Sequence, residues 1–148
     1  MKQYHSYNSL FFHLIFWTKR RLGLITNPRE EALLFGAFKK KAHDLGAYIE
    51  ELGSWYDHVH VLARTPPTLL LTRFYGQLKG FSSYRWSREW PDKPFFWGDG
   101  VYISTVDPRE NNELRRYIRN QRSIHAGRTQ LDAWEVHDFG AFTPVPAR

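Results

Sequence analysis

At 148 residues, with 42% apolar and 24% charged side chains, the chain is long enough for one domain with a hydrophobic core and too short for two. It contains no cysteine, which excludes disulfides, thiolate catalysis and the usual structural zinc sites, so any metal must be held by imidazole, carboxylate or amide groups. A formal charge of +6 fits a polyanionic partner and equally a basic enzyme without one, and a 17% share of aromatics fits core rings as well as stacking on bases.

The first residues, Met1 to His5, form no continuous apolar stretch, and His13 interrupts the run from Leu10 to Trp17, so no signal peptide is expected. No segment has the length and apolarity of a membrane span, and the expected location is the cytoplasm, at the nucleoid. Leu10 to Trp17 reads as a strand buried on both faces, leaving through the basic cluster Lys19-Arg20-Arg21. Asn27 and Pro28 predict a helix start, with Asn27 as N-cap, and Gly46 predicts its left-handed close.

Ala47 to Trp55 reads as a strand with a bulge or an early end at Gly53, and His58 to Arg64 as its hairpin partner. After Pro66-Pro67, Leu69, Leu70, Phe74 and Leu78 predict a second helix, with Thr65 a candidate cap and Gly80 interrupting the pattern. Val101 to Val106 is the next predicted strand. Asp107-Pro108-Arg109-Glu110 carries the strongest capping signal, opening a helix expected to run to about Ala126, with Gly127 as its stop. The tail 127–148 has no clear period and is expected to be irregular or docked. The order β-α-β-β-α-β-α predicts an α+β, ferredoxin-like antiparallel sheet with helices packed on one face and a further C-terminal helix bearing Tyr117, in a single domain spanning 1–148 with a core of about 8–126.

Two groups of residues carry chemistry. On a strand, His58 and His60 project to one side while Val59 and Val61 face the other, so the two imidazoles can share one metal ion. The same pair also fits two solvent-facing histidines on a half-exposed strand. On the helix opened at Asp107, Tyr117 and Gln121 stand four apart on one face, and His125 continues the stripe; Tyr117 alone would equally fit a buried seam. Taken together, two imidazoles and an amide oxygen make a Lewis-acid site with positions open for phosphate oxygens. A tyrosine beside such a cation is a competent nucleophile toward a phosphodiester, since a phenol with a reference pKa of about 10 needs that activation.

These residues resemble a known family. Asp57-His58-Val59-His60-Val61-Leu62 resembles the HUH motif, and Tyr117-Ile118-Arg119-Asn120-Gln121 resembles the tyrosine helix of the single-tyrosine transposases of insertion sequences, which include the transposases associated with repeated extragenic palindromes. Phe12 to Arg21, Leu78 to Ser83 and Trp97 to Val106 agree with it, so the resemblance covers most of residues 8–126. Departures are Tyr56, where relatives often have Pro, and Asp107, where they often have Gly; neither is an expected ligand or nucleophile.

The resemblance implies a DNA strand transferase in which His58, His60 and Gln121 hold a divalent ion, Mg or Mn in relatives, although two imidazoles also suit a softer ion such as Ni or Zn. Tyr117 would attack single-stranded DNA, giving a 5′-phosphotyrosine and a free 3′-hydroxyl, and a second 3′-hydroxyl would reverse the exchange without a nucleotide cofactor. Hairpin ends of a mobile element are the implied substrate. Lys19, Arg20, Arg21, Lys79, Arg85, Arg88, Arg115, Arg116, Arg119 and Arg122 are candidates for gripping DNA, the last four favoured by their place around the nucleophile. A homodimer is expected, with Tyr117 meeting the histidines within one chain or between two. Two other readings stand beside this one: a single-stranded nucleic-acid-binding module without catalysis, and a metal-dependent phosphodiesterase that uses water.

Overall fold

Period-two patterning produces four strands: β1 (Phe11–Trp17), β2 (Tyr48–Trp55), β3 (His58–Arg64) and β4 (Tyr102–Val106). In the computed structural model, which describes residues 10–135, they form one antiparallel sheet in the order β2-β3-β1-β4. This is the expected ferredoxin-like arrangement, with β1 and β3 as the central strands. The described helices are α1 (Pro28–Asp44), α2 (Leu71–Glu89), α3 (Asn111–Arg119) and α4 (Gln121–Ala126), with short 3-10 turns at Lys19–Arg21, Pro108–Glu110 and Asp132–Trp134. Residues 136–148, most of the predicted tail, lie outside the described residues.

The two sides of the sheet have different tasks. Leu14 and Phe16 of β1, Leu52 of β2 and Val59 and Val61 of β3 point to one side, where they pack with Leu34 and Phe38 of α1 and Phe74, Leu78 and Trp86 of α2. Each such side chain contributes about 1.5–3 kcal/mol by leaving water, so this layer supplies most of the stability. On the opposite side, Leu62 and Val106 pack against Leu114 and Ile118 of α3 in a smaller cluster. His58 and His60 project to that second side. Because α3 and α4 cover it, the half-exposed strand is overturned: His58 is 2% exposed and His60 fully buried.

The α1 start follows from its sequence. Asn27 accepts a hydrogen bond from the Glu30 backbone N–H at 2.9 Å. Glu30 reaches back to accept from the Thr26 N–H at 2.8 Å and from its hydroxyl at 2.7 Å, and ion-pairs with Lys93 at 2.5 Å. Burial opposes the charge on Glu30, but Lys93 and the two Thr26 donors outweigh it and hold its pKa below the usual carboxylate value. Glu30→Ala therefore leaves two donors and a cation without their partner. It is expected to lower the urea midpoint by the equivalent of about 2 kcal/mol with an unchanged m-value. Since the folded-state pKa is depressed, this stability is present above the unfolded value and disappears as pH falls through the folded one; the gap between wild type and variant should close in acid.

Several sequence expectations change in the structure. The β2 irregularity lies between Ile49 and Glu51, not at Gly53. Gly53 is needed for another reason: it stands opposite His60 in the ladder, and a Cβ there would lie 1.6 Å from the Ile118 carbonyl oxygen, so only glycine admits α3. Thr65 does not cap α2, which starts after an extended Leu70 without a side-chain cap. The helix runs through Gly80 to Glu89, because Ser82 and Trp86 beyond that glycine are buried against the core.

The helix expected from Asp107 to about Ala126 is interrupted. Asp107 caps the Pro108–Glu110 turn by accepting from the Arg109 N–H, and the chain bends again at Asn120 (φ −99°, ψ 24°), between α3 and α4. Asparagine is a weak helix former that favours turns. At the bend the Gln121 side chain donates to the Tyr117 carbonyl at 3.2 Å, supplying a partner that the broken helical ladder needs.

Candidate active site

β3 carries His58 and His60 side by side, their ring centroids 5.0 Å apart. Each ring is held from behind. Asp57 Oδ1 lies 2.6 Å from His58 Nδ1, and Arg21 Nε bonds the other Asp57 oxygen at 3.1 Å. His60 Nδ1 lies 2.8 Å from Nε2 of His13, a neighbour on β1. Both Nε2 atoms are thereby turned toward α3 and α4. A fixed far nitrogen is the usual way in which a ligating imidazole is oriented.

Two further groups converge there. His125 of α4 lies with its ring 4.7 Å from that of His58. Glu135, just after the Asp132–Trp134 turn, places Oε1 at 3.0 Å from His60 Nε2, 3.3 Å from His58 Nε2 and 3.5 Å from His125 Nε2. One ligand atom from each of His58, His60, His125 and Glu135 falls within 4.8 Å of the others. The second Glu135 oxygen accepts a short hydrogen bond from the Tyr117 hydroxyl, which in turn accepts from the Leu131 N–H at 3.1 Å. The Tyr117 ring centroid lies 6.1 Å from that of His60 and 5.1 Å from that of Trp134.

The electrostatics follow from burial and from these contacts. Burial pushes His60 down to about 4, against the pull of Glu135, so its ring is neutral at ordinary pH. Burial acts likewise on His58, but the carboxylates of Asp57 and Glu135 prevail and raise it. Burial would raise the Glu135 carboxyl, yet the surrounding histidines hold it well below the usual range. Burial and the adjacent Glu135 push the Tyr117 phenol above its ordinary value. Left like this, the phenol stays protonated, and a cation among the imidazoles would reverse the local field.

A divalent ion fits this donor set. Three imidazole nitrogens converge on one carboxylate oxygen, and His58 Nε2 is buried without a hydrogen bond of proper geometry. Nitrogen-rich coordination with one carboxylate suits Mn, Zn or Ni better than Mg.

The structure brings the expected His58, His60, Tyr117 and Gln121 together within one chain. Gln121 is 1% exposed, and its Oε1 lies 3.0 Å from His125 Nε2, so its amide adjoins the cluster through that ring. His125 was legible only as a continuation of the Tyr117–Gln121 stripe. Glu135 and His13 carried no such signal, the first lying in a tail without period and the second in an apolar strand.

The basic candidates divide into two groups. Arg115 bonds Glu50 at 2.9 Å, Arg119 bonds Glu51 at 2.8 Å and Arg122 bonds Glu31 at 3.2 Å, which ties α3 and α4 to β2 and α1. Arg21 is engaged by Asp57, and Lys79 donates to the carbonyls of Gly98 (2.8 Å) and Gly100, tethering the loop before β4. Arg20 and Arg116 are exposed, while Lys19 lies over Phe96, Arg85 over Phe81 and Arg88 over Tyr84 as cation–π pairs. Among the described residues, no helix is long and apolar enough to cross a membrane.

Comparison with known proteins agrees with this architecture. The chain is 28% identical over 117 residues to the transposase for insertion sequence element IS200 of Salmonella typhimurium LT2, covering 74% of this chain and 75% of the relative. Among solved structures, a transposase candidate from Deinococcus radiodurans R1 superposes with a TM-score of 0.63 at 25% identity, covering 82% of this chain and 98% of that one. A REP-associated tyrosine transposase, solved bound to a REP hairpin, shares the fold with a TM-score of 0.58 at 17% identity, covering 84% of this chain and 74% of that one. The family model described as "Transposase IS200 like" matches residues 6–121, and the chain therefore belongs to the IS200-like transposases, the HUH enzymes with a single tyrosine.

Proposed function

We propose that this transposase cleaves and rejoins single-stranded DNA by metal-dependent transesterification at Tyr117. The observation that carries the reading is the meeting of the Tyr117 hydroxyl with the His58 and His60 imidazoles on one shared carboxylate, Glu135. His58 and His60 would hold a divalent ion, Mg or Mn by the resemblance and Mn, Zn or Ni by donor type, with further donors from the group Gln121, His125 and Glu135. The ion supplies Lewis acidity to the phosphodiester and charge stabilisation to the phenolate.

The Tyr117 hydroxyl gives up its proton as its oxygen bonds to phosphorus, the P–O3′ bond breaks with its electron pair on oxygen, and the leaving strand takes up one proton as a 3′-hydroxyl, so protons balance. A 5′-phosphotyrosine remains. Attack by another 3′-hydroxyl restores a DNA linkage and frees Tyr117, each exchange trading one phosphoester for another.

Hairpin ends of a mobile element, held in the cytoplasm at the nucleoid, are the proposed substrate, in keeping with the REP hairpin bound by the structural relative. Lys19, Arg20, Arg85 and Arg116, whose charges face solvent or lie over aromatic rings, are proposed to contact phosphates first. A homodimer is proposed from the resemblance; within one chain the Tyr117 and His60 ring centroids lie 6.1 Å apart.

The test is a denaturing gel with purified protein, labelled single-stranded DNA from both flanks of its own gene, and Mg, Mn or Zn. A protein–DNA adduct that fails to form in the presence of EDTA and forms when metal is restored is the expected result. Cleavage without an adduct would point instead to a phosphodiesterase using water. Binding without cleavage in every metal would point to a non-catalytic nucleic-acid-binding module.

A further inference from the structure

We propose that His13 is a positioning residue that orients the His60 ring and accepts its Nδ1 proton for metal binding. The inference rests on the metal-site reading above and concerns a side chain that touches neither the metal position nor Tyr117.

His13 is an anomaly in β1: a 1% exposed imidazole between Phe12 and Leu14. Register explains its reach. Ile15 stands opposite His60, so His13, two residues earlier, projects to the same side and lies diagonal to it. Its ring stacks on that of His60 with centroids 5.1 Å apart, and its Nε2 is 2.8 Å from His60 Nδ1. Both rings are buried, and the 2.8 Å separation of the facing nitrogens places one N–H between them.

The direction of that proton matters. A ligating His60 must offer the lone pair of Nε2, which faces the cluster, and its own proton must then sit on Nδ1. Without an ion, the Glu135 carboxylate accepts from His60 Nε2–H and His13 donates to His60 Nδ1; once an ion takes the Nε2 lone pair, His13 Nε2 is placed to accept the Nδ1 proton, and its ring then carries its hydrogen on Nδ1. That Nδ1 atom is buried and has no hydrogen-bond partner among the described residues. An unsatisfied buried polar group is unfavourable, and a leucine at this place would not incur that cost. His13 is thus unfavourable for the fold and favourable for the orientation of His60. Asp57 plays the corresponding part behind His58, through a carboxylate and not a neutral ring.

Two substitutions separate positioning from packing. His13→Leu fills β1 without a polar atom, and His13→Gln keeps a side-chain oxygen able to accept from His60. Manganese and zinc affinities of the full chain would be measured by titration calorimetry, beside the thermal midpoint of the metal-free protein. His13→Leu is expected to bind either metal about 10- to 100-fold more weakly, with a metal-free midpoint equal to or above that of wild type. His13→Gln is expected to recover most of the affinity.

Wild-type affinity in His13→Leu would overturn the inference and leave the metal site standing. Loss of affinity together with a lowered midpoint, unrescued by His13→Gln, would make His13 structural and overturn it equally. Absence of metal binding in wild type would overturn the site reading itself, and this inference with it.

Discussion

Tyr117→Phe is expected to abolish the covalent DNA adduct, a loss of at least about 10³-fold, while metal affinity stays within a few-fold of wild type. The substitution removes one atom. The ring remains packed against His60 and Trp134, so the orientation of α3 does not depend on the hydroxyl. What disappears is the proposed nucleophile, together with its hydrogen bond to Glu135 and the acceptor for the Leu131 N–H. Stability should fall by only about 1 kcal/mol, the usual net value of such a bond.

The split between the two readouts decides the mechanism. An adduct that persists in Tyr117→Phe removes this residue as the nucleophile. Loss of adduct and metal affinity together would mean that the variant has disturbed the histidine cluster, and His58→Ala then becomes the reference for that defect. The metal has a definite electrostatic task in this scheme. Burial and the Glu135 carboxylate both favour the neutral phenol, so a cation is required to bring the phenolate within reach near neutral pH.

The second large effect is expected at a residue with no side chain. Gly53→Ala should destabilise the protein by about 3 kcal/mol or more and slow adduct formation by about 10²-fold or more. A Cβ at Gly53 would stand 1.6 Å from the Ile118 carbonyl oxygen, 2.7 Å from its carbon and 3.0 Å from Gln121 Cγ. The first two are backbone atoms and cannot rotate away. Relief requires the junction of α3 and α4 to lift from β2, and that junction carries Tyr117, Gln121 and His125.

Urea unfolding and single-turnover adduct formation would measure the two effects. Gly36→Ala is the control, since a Cβ there meets nothing within 4 Å and lies on α1. It should stabilise by up to about 1 kcal/mol and leave the reaction rate unchanged. Wild-type behaviour in Gly53→Ala would mean that α3 is not seated on β2 as described.

Local signals carried much of the architecture. The apolar run of β1, the alternation of β3 and the Asn27-Pro28 and Asp107-Pro108 starts depend on residues a few positions apart, and the structure has each of these elements. Likewise His58-Val59-His60 and Tyr117 with Gln121 are spacing motifs, readable because a strand and a helix repeat at fixed periods. Where the local signal was ambiguous, tertiary contact decided. Gly80 sits in the middle of α2 because Trp86 beyond it has a core to enter, and the helix from Asp107 bends at Asn120, where Gln121 supplies the Tyr117 carbonyl with a partner.

The sequence by itself determined the strand and helix order, the paired histidines, the tyrosine and the family they resemble. Only the tertiary structure placed His13 behind His60, drew His125 and Glu135 to the same point, and engaged Arg115, Arg119 and Arg122 with Glu50, Glu51 and Glu31. These partners stand up to 91 residues apart, as Arg122 does from Glu31. Periodicity records which side of an element a residue occupies, whereas its partner depends on which other element packs against that side.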